Sequence, residues 1–147
     1  MEVVVLIGLQ GSCKSTFAHA RYGATHVRIS RDVVKTPHRE RILQYTCLGL
    51  EQSFVADNTH PDPAARAPGL AAARGAGARV VACYFAPDVP GSLARNAGRA
   101  VGRVPDVAIY ATVKRLVAPT YAEGFDAIYQ VTVGPDGYDV NEVPREG

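Results

Sequence analysis

The chain has 147 residues, 47% hydrophobic and 20% charged, with a formal net charge of +2. That is the usage of one globular domain of about 100–200 residues, and it excludes wholesale disorder. The near-balanced charge does not by itself announce a nucleic-acid binder.

The 14 glycines and 10 prolines are spread along the chain, so no linker array is present. Cys13, Cys47 and Cys83 are widely spaced, odd in number and lack a C-x-x-C pair. This argues against a disulfide framework or a zinc site. The stretch Met1 to Gly8 has no basic leader or small-residue cleavage site. No apolar run reaches the ~18 residues of a membrane span. A cytoplasmic protein is expected.

Val3 to Ile7 is an unbroken β-branched and aliphatic run, the pattern of a strand buried on both faces. A Gly-rich turn follows, then a helix from about Lys14 to Arg21. His26 to Ile29 reads as a second strand. Thr36 has the form of an N-cap with Pro37 at the first helical position, and the helix places Leu43, Cys47 and Leu50 on one side. Ser53 to Ala56 is a third strand, stopping at Asp57-Asn58-Thr59. Pro68 would clash inside a helix begun at Asp62-Pro63, so the helix there is expected only from Pro68 to Arg74. Arg79 to Phe85 is the fourth strand. Helical stretches run from Ser92 to Ala100 and from Asp106 to Leu116. Ala127 to Val133 is strand-like, and Pro135-Asp136-Gly137 turns it into a C-terminal hairpin through Tyr138-Asp139-Val140. Strands alternating with helices predict an α/β fold: a single three-layer domain over residues 1–147 around a mostly parallel sheet.

The first strand runs into Gly8-Leu9-Gln10-Gly11-Ser12-Cys13-Lys14-Ser15-Thr16, one substitution from G-x-x-x-x-G-K-[ST]. In that pattern, loop and helix N–H groups cradle phosphate oxygens, the lysine reaches the β/γ-phosphates and the hydroxyl after it ligates Mg²⁺. Lys14 and Ser15 hold those positions, and ATP and Mg²⁺ are the implied ligands. Gly8, Gly11, Ser12, Cys13 and Thr16 complete the candidate nucleotide loop. Cys13 stands where the pattern has Gly. Either its Cβ forces the backbone out of a φ that Gly takes easily, or the loop tolerates a small side chain.

Asp32 follows the second strand and Asp57 the third, and ligands of parallel α/β sheets bind at those strand ends. One carboxylate could take a proton from an attacking hydroxyl, the other could hold Mg²⁺. As structural alternatives, Asp32 caps the next helix and Asp57 opens an Asx-turn. Arg95, Arg99 and Arg103 recur every fourth residue, a like-charge spacing that a polyphosphate would relieve. Gly98 and Gly102 lower helix stability there, as in a mobile lid over about residues 92–105. Thr120-Tyr121-Ala122-Glu123 has capping-box form and a structural role. His19, His26, His38 and His60 show no metal-ligand spacing and read as surface or turn residues.

Together, the Gly8–Thr16 loop, Ser30-Arg31-Asp32, Asp57-Asn58-Thr59-His60-Pro61, the arginines from Arg95 on and Pro119-Thr120-Tyr121-Ala122-Glu123-Gly124-Phe125 resemble the kinase domain of polynucleotide kinases. The resemblance covers about Val3 to Val133. It implies a P-loop NTPase fold and transfer of the ATP γ-phosphate to a 5′-hydroxyl of DNA or RNA. It assigns Asp32 as general base and Arg99 as the group that stabilises the transferring phosphoryl. Asp57 matches the acidic residue of the family's D-N-T-N-P motif, with His60 in place of its second Asn. Arg31, Asp57 and Asn58 are candidates for acceptor contacts; Arg39 and Arg41 are candidates for contacts to acceptor phosphates, with a solvated helix start as the alternative. The alternatives are a P-loop kinase of a small-molecule hydroxyl and a non-catalytic nucleotide- or nucleic-acid-binding descendant.

Overall fold

A computed structural model of the chain describes residues 1–146. Its strands are β1 (Glu2–Ile7), β2 (Val27–Ser30), β3 (Phe54–Asp57), β4 (Arg79–Phe85), β5 (Ala127–Gly134) and β6 (Gly137–Glu142). Its helices are α1 (Lys14–Tyr22), α2 (Arg31–Val34), α3 (Pro37–Gly49), α4 (Pro63–Gly75), α5 (Val89–Ala97) and α6 (Asp106–Arg115). The six strands form one sheet in the order β2-β3-β1-β4-β5-β6. All neighbours are parallel except the β5–β6 hairpin.

Alternation of side chains along β1 explains the three layers. Val3, Val5 and Ile7 face one way and join Phe54, Leu70, Val80, Phe125 and Ile128. Val4 and Leu6 face the other way and join Phe17 of α1 with Val55, Val81 and Phe85. Each such aliphatic side chain contributes roughly 1.5–3 kcal/mol when fully buried. The central strand is thus locked between two cores, and its carboxyl end is held rigidly. The chain leaves β1 toward β2 and β3 on one side and β4 on the other. The loop after β1 therefore sits at the topological switch point, where parallel sheets bind ligands.

Several elements differ from the sequence expectation. Helix α4 begins at Pro63 and carries Pro68 inside it. Its first turn is fixed independently of the bond that Pro68 cannot make. Asp62 Oδ1 accepts from Ala65 N at 2.8 Å. The buried Arg66 donates to Glu123 at 2.8 and 3.1 Å, and to the carbonyls of His60 and Val117. Helix α5 starts at Val89, because Asp88 accepts from Gly91 N, and it stops at Ala97. The face of α3 is largely bare. Cys47 is buried, but Leu43 and Leu50 are 43% and 73% exposed. The reason is that β2 is a four-residue edge strand whose first two residues are themselves exposed, so α3 has little sheet to cover. The one-turn helix α2 has no side-chain cap and no periodic signal in the sequence.

Thr120 and Glu123 form the expected capping box around a 3₁₀ turn at Tyr121–Glu123. Glu123 also neutralises Arg66, whose side chain has no exposed surface. Removing one partner of such a buried pair costs about 3–5 kcal/mol, because the other charge is left uncompensated. Glu123→Ala is therefore expected to lower unfolding free energy in urea by ~3 kcal/mol or more. A change within the ordinary surface range would contradict the role of this pair.

Candidate active site

The loop between β1 and α1 is shaped by close approaches. Gly11 has φ 72° and lies so near α5 that a Cβ would meet the Ser92 carbonyl oxygen at 2.6 Å. Cys13 takes φ 68° and ψ 21°, the left-handed conformation, and caps α1 with its backbone. The loop thus keeps a left-handed bend with a Cβ present, which is the tolerant alternative of the sequence reading. A non-glycine residue held in the left-handed region costs of order 1 kcal/mol.

Lys14 is buried, and its ammonium donates to the carbonyls of Gly8 at 3.1 Å and Leu9 at 2.6 Å and to Ser12 Oγ at 3.3 Å. Burial pulls its pKa down to about 8, with Asp57 opposing the shift and Arg99 adding to it.

Asp57 ends β3 in register with Ser30, the last residue of β2. This places Asp32, two residues further on, at the same end of the sheet. Ser15 Oγ, in the first turn of α1, donates to Asp57 Oδ2 at 2.7 Å. A hydroxyl and a carboxylate paired this way are hard oxygen donors of the kind Mg²⁺ takes alongside substrate phosphates. Among the described residues no group of three or more His, Cys, Asp or Glu could hold a metal. Ser15 Oγ and Asp57 Oδ2 are the two oxygens that would hold such a cation.

A cavity of about 160 Å³ gathers the predicted residues: Gly11, Ser12, Lys14, Ser15, Arg31, Asp32, Asp57, Asn58 and Arg99 line it. A second cavity of about 320 Å³ lies between α3, α4 and the sheet. It shares Arg31 and Asn58 with the first, and Arg41, Gln44, Tyr45 and Phe54 also line it. Arg31 pairs with Glu40 at 3.5 Å on the wall between them.

The arginine series does not form one helical stripe, because α5 ends at Ala97. Arg95 lies on the helix and donates to the Gly11 carbonyl, tying α5 to the phosphate loop. Arg99 lies beyond the helix end and reaches the cavity from a loop. That loop is clasped by the buried Asn96, which donates to Val104 O at 2.7 Å and accepts from Val104 N at 3.0 Å. Arg103, Arg39 and Thr16 are exposed and do not line the cleft. Gly8 packs beneath the loop against Phe85.

Two participants were not singled out from sequence. Arg28 Nε donates to Asp57 Oδ2 at 2.7 Å, and its Nη2 donates to Ser15 Oγ at 2.9 Å. Its only signal is a cation on the strand that enters Ser30-Arg31-Asp32. Gln10 donates to Thr112 Oγ1 of α6 at 3.1 Å while its own oxygen is buried without a partner. His60 reads as a surface or turn residue; it lies in the loop after β3 and turns its ring inward, its Nδ1 2.6 Å from the Leu6 carbonyl. Burial lowers its pKa to about 4, so it stays neutral at neutral pH.

No family model matches the sequence. Solved structures do match the fold. A gluconokinase from Sinorhizobium meliloti 1021 superposes with TM-score 0.60 at 16% identity, over 88% of this chain and 81% of that one. The AvrRxo1-ORF1:AvrRxo1-ORF2 complex with sulphate ions gives TM-score 0.70 at 12% identity, over 97% of this chain. The native form of that complex gives 0.68 at 12% identity. This chain spans 57% of the matched chain in each form of that complex.

Two outcomes follow from the loop. Lys14 has a folded pKa of about 8 against an ordinary 10.5, so the unfolded chain binds more protons between those values. The burden on stability is full below pH 8 and is relieved as pH rises toward 10.5. Unfolding free energy of the native chain should therefore rise over that window relative to Lys14→Met; parallel profiles would contradict it. Cys13→Gly should raise stability or leave it unchanged, within about 1 kcal/mol, since relief of strain is offset by unfolded-state entropy. A large loss would mean the thiol makes contacts the loop needs. The chain shares the three-layer α/β fold of the gluconokinase structure, with the Gly8–Thr16 loop at the switch point of its sheet.

Proposed function

We propose that the protein is an ATP-dependent phosphotransferase that moves the γ-phosphate to the hydroxyl of a small-molecule acceptor. The observation that carries this reading is the convergence of Lys14, the Ser15–Asp57 pair, Asp32 and Arg99 on one cleft. Phosphoryl transfer needs little covalent chemistry from the protein and depends on positioning and charge. In this reading the loop N–H groups and Lys14 hold the β/γ-phosphates. Ser15 and Asp57 would hold Mg²⁺, which would supply positive charge against the phosphates. Lys14 must release its contacts with Gly8 and Leu9 to reach a phosphate, whose charge restores its full protonation. Asp32 accepts the acceptor's hydroxyl proton, and Arg99 stabilises charge on the transferring group.

The acceptor's body lies in the 320 Å³ cavity that opens beside the cleft. Its floor of Val5, Phe54, Ala56 and Leu70, with Arg31, Arg41 and Gln44 on its walls, suits one small polar molecule rather than a strand of nucleic acid. A second reading, transfer to a 5′-hydroxyl of DNA or RNA, is favoured by the basic residues Arg28, Arg31, Lys35, Arg39 and Arg41 around β2 and α3. It is also favoured by the R-D and D-N-T-x-P segments.

Transfer of labelled γ-phosphate from Mg·ATP should be followed with small polyols, nucleosides and 5′-hydroxyl oligonucleotides as acceptors. Asp32→Asn should lower the transfer rate by roughly 10²–10⁴ while nucleotide binding persists. Equal rates for native chain and variant would remove Asp32 from the chemistry. Turnover that falls steeply with added salt and needs an oligonucleotide would select the second reading.

A further inference from the structure

Asp57 is nearly inaccessible, 6% exposed, and a carboxylate so placed needs a compensating cation. Lys14 does not supply it by contact, since its ammonium is bonded to Gly8, Leu9 and Ser12. Arg28 does, from the edge strand. Its Nε bonds Asp57 Oδ2 at 2.7 Å and its Nη2 bonds Ser15 Oγ at 2.9 Å. The same serine hydroxyl donates to the same carboxylate oxygen at 2.7 Å. One guanidinium therefore engages both oxygens that the proposed function gives to the divalent cation.

We infer that Arg28 is a removable counter-ion of the metal site, a built-in cation that a divalent metal must displace from Asp57 and Ser15. The inference rests on the reading that those two side chains hold the metal. The asymmetry of burial supports displacement. Arg28 is 38% exposed and reaches in on a long side chain from the edge strand, whereas Asp57 sits at a strand end between core layers. Exchange of one cation for the other keeps the buried carboxylate neutralised throughout. It also makes the site a poor binder of free metal, because two charge-assisted hydrogen bonds must be broken first. Nucleotide phosphates, which bring charge and further oxygen ligands, tip the exchange. The device thus couples metal capture to nucleotide arrival and keeps the empty site from holding a stray cation.

The test uses the whole chain with Mn²⁺ as the probe, read by loss of the free-ion paramagnetic signal, and needs no turnover. Arg28→Gln should bind Mn²⁺ at least about tenfold more tightly than the native chain in the absence of nucleotide. The gap should narrow when ADP is present. In chelator Arg28→Gln should melt below the native chain, and Mn²⁺ should restore it. Equal or weaker Mn²⁺ binding by Arg28→Gln would overturn this inference and leave the metal assignment standing. No Mn²⁺ binding by either protein, with or without ADP, would overturn both. A loss of fold in both Arg28→Gln and Arg28→Lys that Mn²⁺ does not reverse would make the arginine a fold element and sink the displacement.

Discussion

The hydrogen bond of 2.7 Å between Ser15 Oγ and Asp57 Oδ2 joins the head of α1 to the end of β3. Two parallel strands have to finish at the same height for it to exist. β1 and β3 pair directly, Val5 beside Ala56, so the loop after one strand and the carboxylate at the end of the other are neighbours. The register is set by burial, not by the site. Each of the two strands places side chains on both faces of the sheet, and a one-residue slip would exchange the two faces. The chemistry at the strand ends inherits its precision from the aliphatic core beneath it.

That rigidity is concentrated on one side. The phosphate loop is backed by Ser92 of α5, tied by Arg95, and linked through Gln10 to α6. The opposite rim, formed by β2, α2 and α3, is lightly packed and carries exposed Val33, Ile42, Leu43 and Tyr45. In the proposed reaction the firmly tied side would take the nucleotide, the constant partner, and the lightly packed rim the acceptor, which must enter and leave. The loop from Gly98 to Pro105, clasped by Asn96 at Val104, brings Arg99 over the cleft from the α5 side.

Most of this frame was legible in the residues. The β-branched run of β1, the Gly8–Thr16 loop and the carboxylates after β2 and β3 dictate a parallel sheet and one cleft. The places where reading failed share a cause: long-range contacts override local rules. Pro68 breaks a helix in isolation, but α4 is pinned by Arg66 and Glu123, which are 57 residues apart. The arginines at every fourth residue read as one helical face, but α5 stops at Ala97 and Asn96 folds the next segment back. His60 does sit in the turn region after β3, but nothing local announces the Leu6 carbonyl that its ring faces. Arg28 was invisible for the same reason, since its partner Asp57 is brought beside it only by sheet pairing.

The proposed function requires that a loop with Cys13 at its left-handed position still holds a triphosphate. Calorimetric titration of Mg·ATP into the native chain and Lys14→Met tests it most directly. Binding to the native chain should saturate, and Lys14→Met should weaken it by about two orders of magnitude, the scale of a charge-assisted phosphate contact. No binding to the native chain, or equal binding to both, would contradict it.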